Sequence, residues 1–323
     1  MTDRYARQSV LPQIGAAGQA RLAQAHVLVA GAGGLGCALL PYLAAAGVGQ
    51  LTIFDPDRVE LCNLHRQPMY RMDDLGAPKA QAARAALLAL NPQVNVTARC
   101  ERLTPANVAA GVAGVTIAVD AADSLALTYM LSDACRAAGI PLVSAQVLGL
   151  AGYVGVFCGG APSYRAVFPE MPLAAGSCAQ NGVLGTAVGV MGTLQAHLTL
   201  ALLLGLTPSP LGRLISIDFQ ALHFGGFGFC GASEPAGSLT FIAVADLNAH
   251  DVLIDLRSVS EAPASPLAGA LRLDVETLER TPPRLPAAAR VVLCCRSGVR
   301  AWRAARALQR QGHENLALLA LGE

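Results

Sequence analysis

The sequence lacks the paired cysteines, the long basic runs and the signal peptide that would assign it to several common protein classes. Its nine cysteines include no pair with C-x-x-C spacing, which excludes a thioredoxin-like motif and a standard zinc ribbon. A net charge of +1 without basic clusters argues against nucleic acid as the main partner. Because residues 1–7 are polar, we expect no secretion and free thiols in the reducing cytoplasm.

One apolar stretch, residues 182–206, is long enough to cross a bilayer. It carries Gln195 and His197 near its middle, and no cluster of lysine or arginine flanks it. A buried helix explains these features better than a membrane span does. We therefore expect a soluble protein without a membrane partner.

The segment 26–36 combines a short apolar run, 27–30, with the glycine-rich sequence GAGGLG, and a helical pattern follows over 37–46. A strand, a glycine turn and a helix in this order predict the phosphate-binding turn of a doubly wound, Rossmann-like α/β sheet. The glycines of this turn are Gly31, Gly33, Gly34 and Gly36. An ordinary glycine-rich turn between a strand and a helix is the alternative interpretation.

Within this turn, Gly31 permits the tight bend, Gly33 lets a phosphate approach the backbone, and Gly36 brings helix against strand. The first N–H groups of the helix then face an anion. A second strand, 50–54, ends in Asp55, about 20 residues further on, where an acid can bind a ribose hydroxyl. Together these features predict a nucleotide site.

A dense polar loop follows Asp55. Its candidate nucleotide-binding residues are Asp57, Asn63, Arg66 and Gln67, with Lys79 before a helical pattern over 80–90. A dinucleotide-dependent oxidoreductase has no evident use for these cations. A nucleoside triphosphate gains from them, because arginine grips phosphate oxygens bidentately and lysine acts as a point charge. Each residue taken singly could instead be a solvated surface group.

A further strand, 115–119, leads to Asp120 and Asp123, at the sheet edge where ligands of such folds bind. Asp123 could hold a Mg²⁺ ion that bridges phosphate oxygens, or it could cap the helix predicted over 125–138. In adenylation a carboxylate attacks the α-phosphorus and pyrophosphate leaves. Positioning and charge neutralisation would supply most of that catalysis.

Five segments resemble the ubiquitin-activating superfamily, and within it the bacterial adenylyltransferases of molybdopterin synthase and thiamine biosynthesis. They are RYARQ at 4–8, GAGGLG at 31–36, DPDRVE at 55–60, NLHRQ at 63–67 and GAPK at 76–79. The resemblance, which runs from about residue 4 to residue 224, implies ATP, Mg²⁺ and a ubiquitin-like sulfur-carrier protein that ends in Gly-Gly. The implied product is the acyl-adenylate of the carrier.

The same resemblance implies roles for individual residues. Asp55 holds ribose, and the phosphates are contacted by Asn63, Arg66 and Lys79. Asp123 matches the metal-associated aspartate, although Ser124 replaces the asparagine that usually follows it.

Two further residues take roles from the resemblance alone. Arg7 matches an arginine that reaches the nucleotide of the neighbouring subunit, which implies a homodimer. Cys178 matches the position of a thiol that can bond covalently to the activated carrier. A buried or incidental cysteine is the alternative for Cys178.

Relatives carry two C-x-x-C pairs that bind structural zinc, and this chain departs from that pattern. Where the first pair is expected, residues 162–166 read PSYRA, and near the second only Cys230 remains. One thiol cannot form a four-ligand site. We expect no structural zinc, with apolar packing in its place or a looser region.

Residues 291–300, VVLCCRSGVR, predict a strand, a loop and then a helix over 301–311. Backbone N–H groups and arginines around a loop cysteine stabilise its thiolate, which suits a nucleophile or a persulfide carrier. The segment resembles the active loop of rhodanese sulfurtransferases, with Cys295 as the sulfur-bearing residue. Counted from Cys294, the loop has the C-x₅-R spacing of a cysteine phosphatase, but the lack of a preceding histidine favours sulfur transfer. Two buried structural thiols are the remaining alternative.

We expect an ATP-binding adenylyltransferase domain over 1–230, a linker over 231–239 and a small α/β rhodanese-like domain over 240–323. The last domain ends before the closing segment usual in its relatives, so a shortened domain is expected. The predicted function is adenylation of the carrier's terminal glycine, followed by persulfide transfer to form a thiocarboxylate, in a molybdopterin, thiamine or related pathway. The alternatives are a non-catalytic carrier-docking protein with an eroded nucleotide site, and an NAD-type oxidoreductase.

Overall fold

The computed structural model describes residues 4–172, 182–263, 267, 269–281, 283–286 and 289–322, and its strands form two sheets. The amino-terminal part consists of α1 (Ala6–Ser9), α2 (Gly15–Gln24), β1 (His26–Ala30), α3 (Gly34–Ala46), β2 (Gln50–Phe54), α4 (Lys79–Leu90), β3 (Asn95–Arg99), α5 (Val108–Val112), β4 (Ile117–Asp120), α6 (Leu125–Ala138), β5 (Pro141–Leu148), β6 (Ala151–Cys158), α7 (Tyr164–Val167), α8 (Gly185–Leu204), β7 (Arg213–Asp218) and β8 (His223–Gly228). The carboxyl-terminal part consists of β9 (Thr240–Phe241), β10 (Val252–Asp255), β11 (Leu271–Arg272), α9 (Val275–Arg280), β12 (Val291–Cys295), α10 (Val299–Arg310) and β13 (Leu316–Ala320).

The amino-terminal sheet has the strand order β3-β2-β1-β4-β5-β6-β7-β8. Neighbours from β3 to β5 are parallel, and neighbours from β5 to β8 are antiparallel. The strand order reverses between β1 and β4, so a ligand crevice is expected outside the carboxyl ends of these two strands. The predicted doubly wound α/β sheet is confirmed.

The helix predicted for the long apolar stretch is present as α8. It packs against α3 and against β5 and β6, and 56% of its most apolar window is buried. Among the residues that the structure describes, α8 alone is long and apolar enough to span a bilayer. Met191 and Gln195 are fully buried, so the helix forms part of the core.

The carboxyl-terminal sheet has five parallel strands in the order β11-β10-β12-β13-β9. Its central strand β12 is buried along its whole length, and α10 packs on β12 and β13. This is the strand, loop and helix predicted around Cys295. A parallel sheet covered by a helix is the small α/β unit expected there.

One difference at an element boundary concerns α3, which begins at Gly34 rather than at residue 37. Gly33 occupies its N-cap position, so Gly34 and Gly36 belong to the first helical turn. The turn between β1 and α3 is therefore shorter than the GAGGLG pattern. Gly33 has the non-helical backbone angles of an N-cap residue, and the helix begins directly after it.

Candidate active site

The turn between β1 and α3 is built on close backbone contacts. Gly31 has a φ of +103°, and a Cβ at this position would lie 2.7 Å from the carbonyl oxygen of Ala121. A Cβ on Gly36 would collide with the carbonyl oxygen of Gly31. Both positions therefore require glycine for steric reasons.

The first N–H groups of α3 are open to an anion. The N-cap Gly33 provides no side-chain cap, and a Cβ there would meet only Gln67 Nε2, at 3.8 Å. Gly34 instead faces α8, since a Cβ on it would lie 2.6 Å from Val188 Cγ1. An uncapped helix N-terminus carries partial positive charge and binds phosphates or other anions.

Asp55 follows β2 and is almost fully buried. Its Oδ2 accepts from the N–H of Ala32 at 2.7 Å, and its Oδ1 accepts from the N–H of Asp57 at 2.8 Å. Burial raises the pKa of this carboxyl above its ordinary value, while the two N–H groups act in the opposite direction. Each oxygen keeps a further acceptor position, which a ribose hydroxyl can fill.

Lys79 opens α4 and is buried, with its Nζ 2.9 Å from Oδ2 of the exposed Asp57. The hydroxyl of Tyr70 connects this residue to the glycine turn, because it lies 2.7 Å from Ala32 O and 3.2 Å from Lys79 O. The turn, Asp55 and the Asp57–Lys79 pair thus form one connected unit. No sequence pattern predicts a role for Tyr70, since only the fold shows what its hydroxyl contacts.

Arg66 lies on the loop beside the first turn of α3. Its Nη2 donates to Asn63 Oδ1 at 2.8 Å, and its Nη1 lies 2.8 Å from His65 Nε2. Asn63 Nδ2 donates in turn to Glu60 Oε2 at 3.3 Å. A Cβ on Gly34 would lie 3.4 Å from the carbonyl oxygen of Arg66, which places this loop against the helix N-terminus.

Gln67 contributes a buried acceptor without a partner. Its side chain is 2% exposed, and its Oε1 has no hydrogen-bond partner among the residues described. An unpaired buried acceptor costs about 1–3 kcal/mol. A donor of a ligand bound beside Gly33 could remove that cost.

The carboxyl end of β4 supplies Asp123, which is exposed. Ser124 is the N-cap of α6 and accepts from the N–H of Leu127 at 3.4 Å. The alternative in which Asp123 caps α6 is therefore wrong. An exposed carboxylate at this edge fits Mg²⁺, which usually takes one or two carboxylates together with phosphate oxygens and water.

Asp120 ends β4 at the sheet edge where ligands were expected, but it is fully buried and does not face a ligand. Its carboxylate accepts from Thr128 Oγ1 at 2.7 Å, from Ser144 Oγ at 2.9 Å and from the N–H of Ala122 at 3.2 Å. Burial raises the pKa of Asp120 to about 6. These contacts fix the start of the loop that carries Asp123.

Arg7 is exposed on α1 and lies away from the glycine turn of its own chain. The helix α1 sits at the far ends of α3 and α4: Gln8 Nε2 donates to Ala46 O at 3.0 Å, and Arg4 Nη1 donates to Leu90 O at 3.0 Å. The 13 residues of α3, about 20 Å of helix, separate that end from the turn. The side chain of Arg7 forms no hydrogen bond or ion pair with any residue the structure describes. A single chain does not bring Arg7 to the other candidates.

Cys295 ends β12 beneath the loop that leads to α10. Its Sγ accepts from the N–H of Gly298 at 3.1 Å and from the N–H of Ala301 at 3.4 Å. Gly298 has a φ of +86°, which turns its N–H toward the sulfur. N–H groups at a helix N-terminus stabilise a thiolate or a persulfide anion.

Cys294 lies on the other face of β12, because successive side chains of a strand alternate. It is buried in a small apolar cluster with Val292 and Leu319, and burial raises its pKa to about 12. Arg300, the arginine of the C-x₅-R spacing, forms an ion pair with Glu261. The N–H groups of the loop thus contact Cys295. Cys294, the cysteine that the phosphatase interpretation requires, lies in a separate apolar cluster.

The two segments where zinc-binding pairs are expected are joined by Ser163 and Glu234. The N–H and Oγ of Ser163 donate to the two carboxylate oxygens of Glu234, at 2.7 and 2.6 Å. Within the described ranges, no group of three or more His, Cys, Asp or Glu residues could hold a metal ion. The apolar packing expected there is present beside this polar link, since Tyr164 and Phe229 of the two segments lie in one buried apolar cluster. Cys178 falls in 173–181, outside the described residues.

Residues 5–232 match the sequence profile of the ThiF family, and residues 243–322 match that of the rhodanese-like domain. The chain belongs to the ThiF family. A rhodanese-like domain follows its ThiF part, as the loop around Cys295 predicted. The family uses ATP, which suits the uncapped N-terminus of α3.

Similar curated proteins include the adenylyltransferase and sulfurtransferase MOCS3 of Bos taurus, which is 48% identical over 218 residues, covering 67% of this chain and 48% of that protein. The sulfur carrier protein adenylyltransferase of Thermus thermophilus is 43% identical over 230 residues, covering 69% and 85%. The crystal structure of E. coli MccB aligns with a TM-score of 0.64 and 21% identity over 72% of each chain, which shows a shared fold. This ThiF-family chain thus spans about half the length of the MOCS3 relatives that it matches.

Proposed function

We propose that this ThiF-family chain uses ATP to adenylate the C-terminal glycine of a ubiquitin-like sulfur-carrier protein that ends in Gly-Gly. The observation that carries the proposal is the connected unit at the uncapped N-terminus of α3, where Tyr70 joins the turn to Lys79. A helix N-terminus, a buried acid and a buried cation side by side suit the charge of a nucleoside triphosphate. The names of MOCS3 and of the Thermus relative, both adenylyltransferases, support it.

In the proposed reaction an oxygen of the carrier's terminal carboxylate attacks the α-phosphorus of ATP. The bond from that phosphorus to the bridging oxygen breaks, and pyrophosphate leaves with the electron pair. Asp55 binds ribose, and the N-terminus of α3 binds phosphate with Asn63 and Gln67. Arg66 and Lys79 neutralise the leaving group. Mg²⁺ held by Asp123 would add positive charge at the phosphates.

We further propose that Cys295 carries sulfur as a persulfide. The terminal sulfur attacks the acyl carbon of the adenylate, AMP leaves, and an acyl disulfide forms. A second thiol, that of Cys178 or of a small molecule, then attacks Cys295 Sγ. It forms a disulfide with Cys295 and releases the thiocarboxylate. The pathway served follows from the carrier that is used.

The proposed active unit is a zinc-free homodimer in the cytoplasm. Arg7 is exposed and distant from its own glycine turn, which supports a role in the neighbouring subunit. The Ser163–Glu234 link occupies the region where relatives bind zinc. The cysteines that the structure describes are all free thiols, which suits a reducing compartment.

Exchange of labelled pyrophosphate into ATP tests the proposal, with purified small proteins that end in Gly-Gly as candidate carriers. We expect exchange with the matching carrier and none with the same carrier lacking its last glycine. ATP binding without exchange for any carrier would favour a non-catalytic docking protein. Reduction of NAD with a small-molecule substrate would favour an oxidoreductase.

A further inference from the structure

The rhodanese-like domain is docked on the ThiF part through Trp302 of α10. Trp302 is 1% exposed, and its ring lies 5.0 Å from that of Tyr129 on α6. The guanidinium of Arg165, beyond α6 on α7, lies 5.4 Å from the indole ring. A tryptophan buried against another domain anchors an interface, because it removes a large apolar area from water.

Glu170 of the ThiF part binds the same helix through an exposed side chain. Its Oε1 lies 2.8 Å from Arg306 Nη2, and its Oε2 accepts from Arg306 Nε at 3.0 Å and from Trp302 Nε1 at 3.4 Å. Arg306 also donates to the carbonyl oxygen of Pro169 at 3.1 Å. The side chain of Glu170 is 65% exposed. A contact so accessible to water can open and close without disturbing the core of either domain.

The docked interface reaches the loop of Cys295. Gly298, whose N–H binds Cys295 Sγ, sits against both parts of the chain: a Cβ on it would lie 3.1 Å from Ala126 Cβ of α6 and 2.7 Å from the ring of Phe241. Cys295 itself has no exposed surface. A sulfur donor therefore has no access to the thiol in this arrangement.

We propose that the contact of Glu170 with Trp302 and Arg306 is a latch that holds the sulfur-transfer loop closed. Release of the latch lets α10 move off α6 and opens Cys295 to sulfur donors and acceptors. The regulation of sulfur transfer by this latch rests on the proposed sulfur-carrying role of Cys295. The closure of the loop over Cys295 does not rest on that role. The latch would keep the persulfide site shut while the adenylation site works.

Alkylation of the full-length protein with iodoacetamide, followed by site-resolved mass spectrometry, tests the closure. Exposed Cys62 and buried Cys294 serve as internal references in the same chain. In the parent protein we expect Cys295 to react at the rate of Cys294, at least about tenfold slower than Cys62. Alkylation of Cys295 at the rate of Cys62 would overturn the proposal.

The Glu170→Ala variant should speed the alkylation of Cys295 at least about threefold and leave Cys294 unchanged. Glu279→Ala is the matched control, because Glu279 binds Arg303 of the same helix from within the rhodanese-like domain. Glu279→Ala should leave the alkylation rates of both Cys294 and Cys295 unchanged. An unchanged alkylation rate of Cys295 in Glu170→Ala would refute the latch. An equal rise in the alkylation rate of Cys294 would refute it as well.

Transfer of sulfur from thiosulfate to cyanide separates the latch from the function of Cys295. Glu170→Ala should accelerate this transfer in parallel with the alkylation of Cys295. Faster alkylation without any sulfur transfer would leave the latch standing and refute the sulfur-carrying role. Slower transfer in Glu170→Ala would refute the latch, because an opened loop cannot be less accessible.

Discussion

Lys79 and Asp57 hold each other through two contacts, one between side chains and one between main chains. Lys79 Nζ lies 2.9 Å from Asp57 Oδ2, and the N–H of Lys79 donates to the carbonyl oxygen of Asp57 at 2.8 Å. The lysine is buried while the carboxylate is exposed. A buried cation with a single exposed partner is fixed in place yet can exchange that partner for a phosphate.

Lys79→Ala and Arg66→Ala should each lower the rate of pyrophosphate exchange, by about 10²–10³, because each removes positive charge from the leaving group. Arg84→Ala is the control, since Arg84 lies on the same helix as Lys79 and binds the carbonyl oxygen of Val96. Parent rates for both Lys79→Ala and Arg66→Ala would show that the phosphates bind elsewhere.

Lys79 also allows a direct measurement, because it is the only lysine in the sequence. An amine-acylating reagent can therefore modify one side chain and the amino terminus. ATP should slow acylation of Lys79 and leave the amino terminus unaffected. Equal acylation with and without ATP would place the triphosphate away from Lys79.

Glu234→Ala should lower the free energy of unfolding by about 1–3 kcal/mol, because it leaves the N–H and hydroxyl of buried Ser163 unpaired. Urea unfolding measures this loss. Glu234→Gln should cost less, since its amide oxygen still accepts one hydrogen bond. A parent protein that contains one zinc per chain by elemental analysis, and loses stability with a chelator, would mean that a metal rather than Glu234 joins these segments.

Sequence patterns located the features of this fold that depend on neighbouring residues. The glycine turn was recognisable because Gly36 must leave room for the carbonyl oxygen of Gly31 within one strand–turn–helix unit, although Gly31 itself is also required by its contact with the distant Ala121. The strand β12 and the loop at Cys295 were recognisable for the same reason.

The features that sequence patterns missed depend on residues far apart in the chain. The hydroxyl of Tyr70 matters only because Ala32, 38 positions away, comes within 2.7 Å of it. The edge strand β8, of sequence HFGGFG, is held by pairing with β7 and has no alternating apolar pattern to reveal it. The Ser163–Glu234 link joins residues 71 positions apart.

Asp120 should make stability depend on pH. Burial raises its pKa from the ordinary 3.8 to about 6, so the unfolded chain releases this proton at lower pH than the folded chain does. Its contribution to stability is complete below about pH 4 and is lost as the pH rises to about 6. The free energy of unfolding of the parent, relative to Asp120→Asn, should fall by at most about 3 kcal/mol across that interval.

Urea unfolding of both proteins at several pH values measures this difference. Asp218→Asn is the matched control, because Asp218 ends β7 in an exposed position. The difference in the free energy of unfolding between the parent and Asp218→Asn should show no comparable fall over the same pH interval. A constant difference for Asp120→Asn would mean that Asp120 ionises alike in the folded and unfolded chains.

Arg7 should act in the neighbouring subunit. A 1:1 mixture of Arg7→Ala and Lys79→Ala chains should recover about a quarter of the parent exchange rate, because half of the dimers are mixed and each has one complete site. Arg4→Ala is the control, since Arg4 binds Leu90 of its own chain. No recovery after proven subunit exchange would place Arg7 outside the neighbour's site.

The last prediction separates adenylation from sulfur transfer by replacing one cysteine at a time. Cys295→Ala should abolish sulfur transfer from thiosulfate to cyanide and leave pyrophosphate exchange intact, because Cys295 Sγ alone receives the N–H groups of the loop. Cys294→Ala is the matched control on the opposite face of β12 and should retain both activities. Cys178→Ala should also retain both and slow only thiocarboxylate formation.

Mass spectrometry after treatment with thiosulfate identifies the thiol that gains sulfur. The gain should be one sulfur atom at Cys295. The loop N–H groups contact Cys295 Sγ and can stabilise a persulfide anion there, whereas burial raises the pKa of Cys294 to about 12 and keeps that thiol protonated. Sulfur at Cys294 alone would reverse the assignment within the loop. No added sulfur on any cysteine, in the parent and in Glu170→Ala alike, would show that the rhodanese-like domain does not take sulfur from thiosulfate.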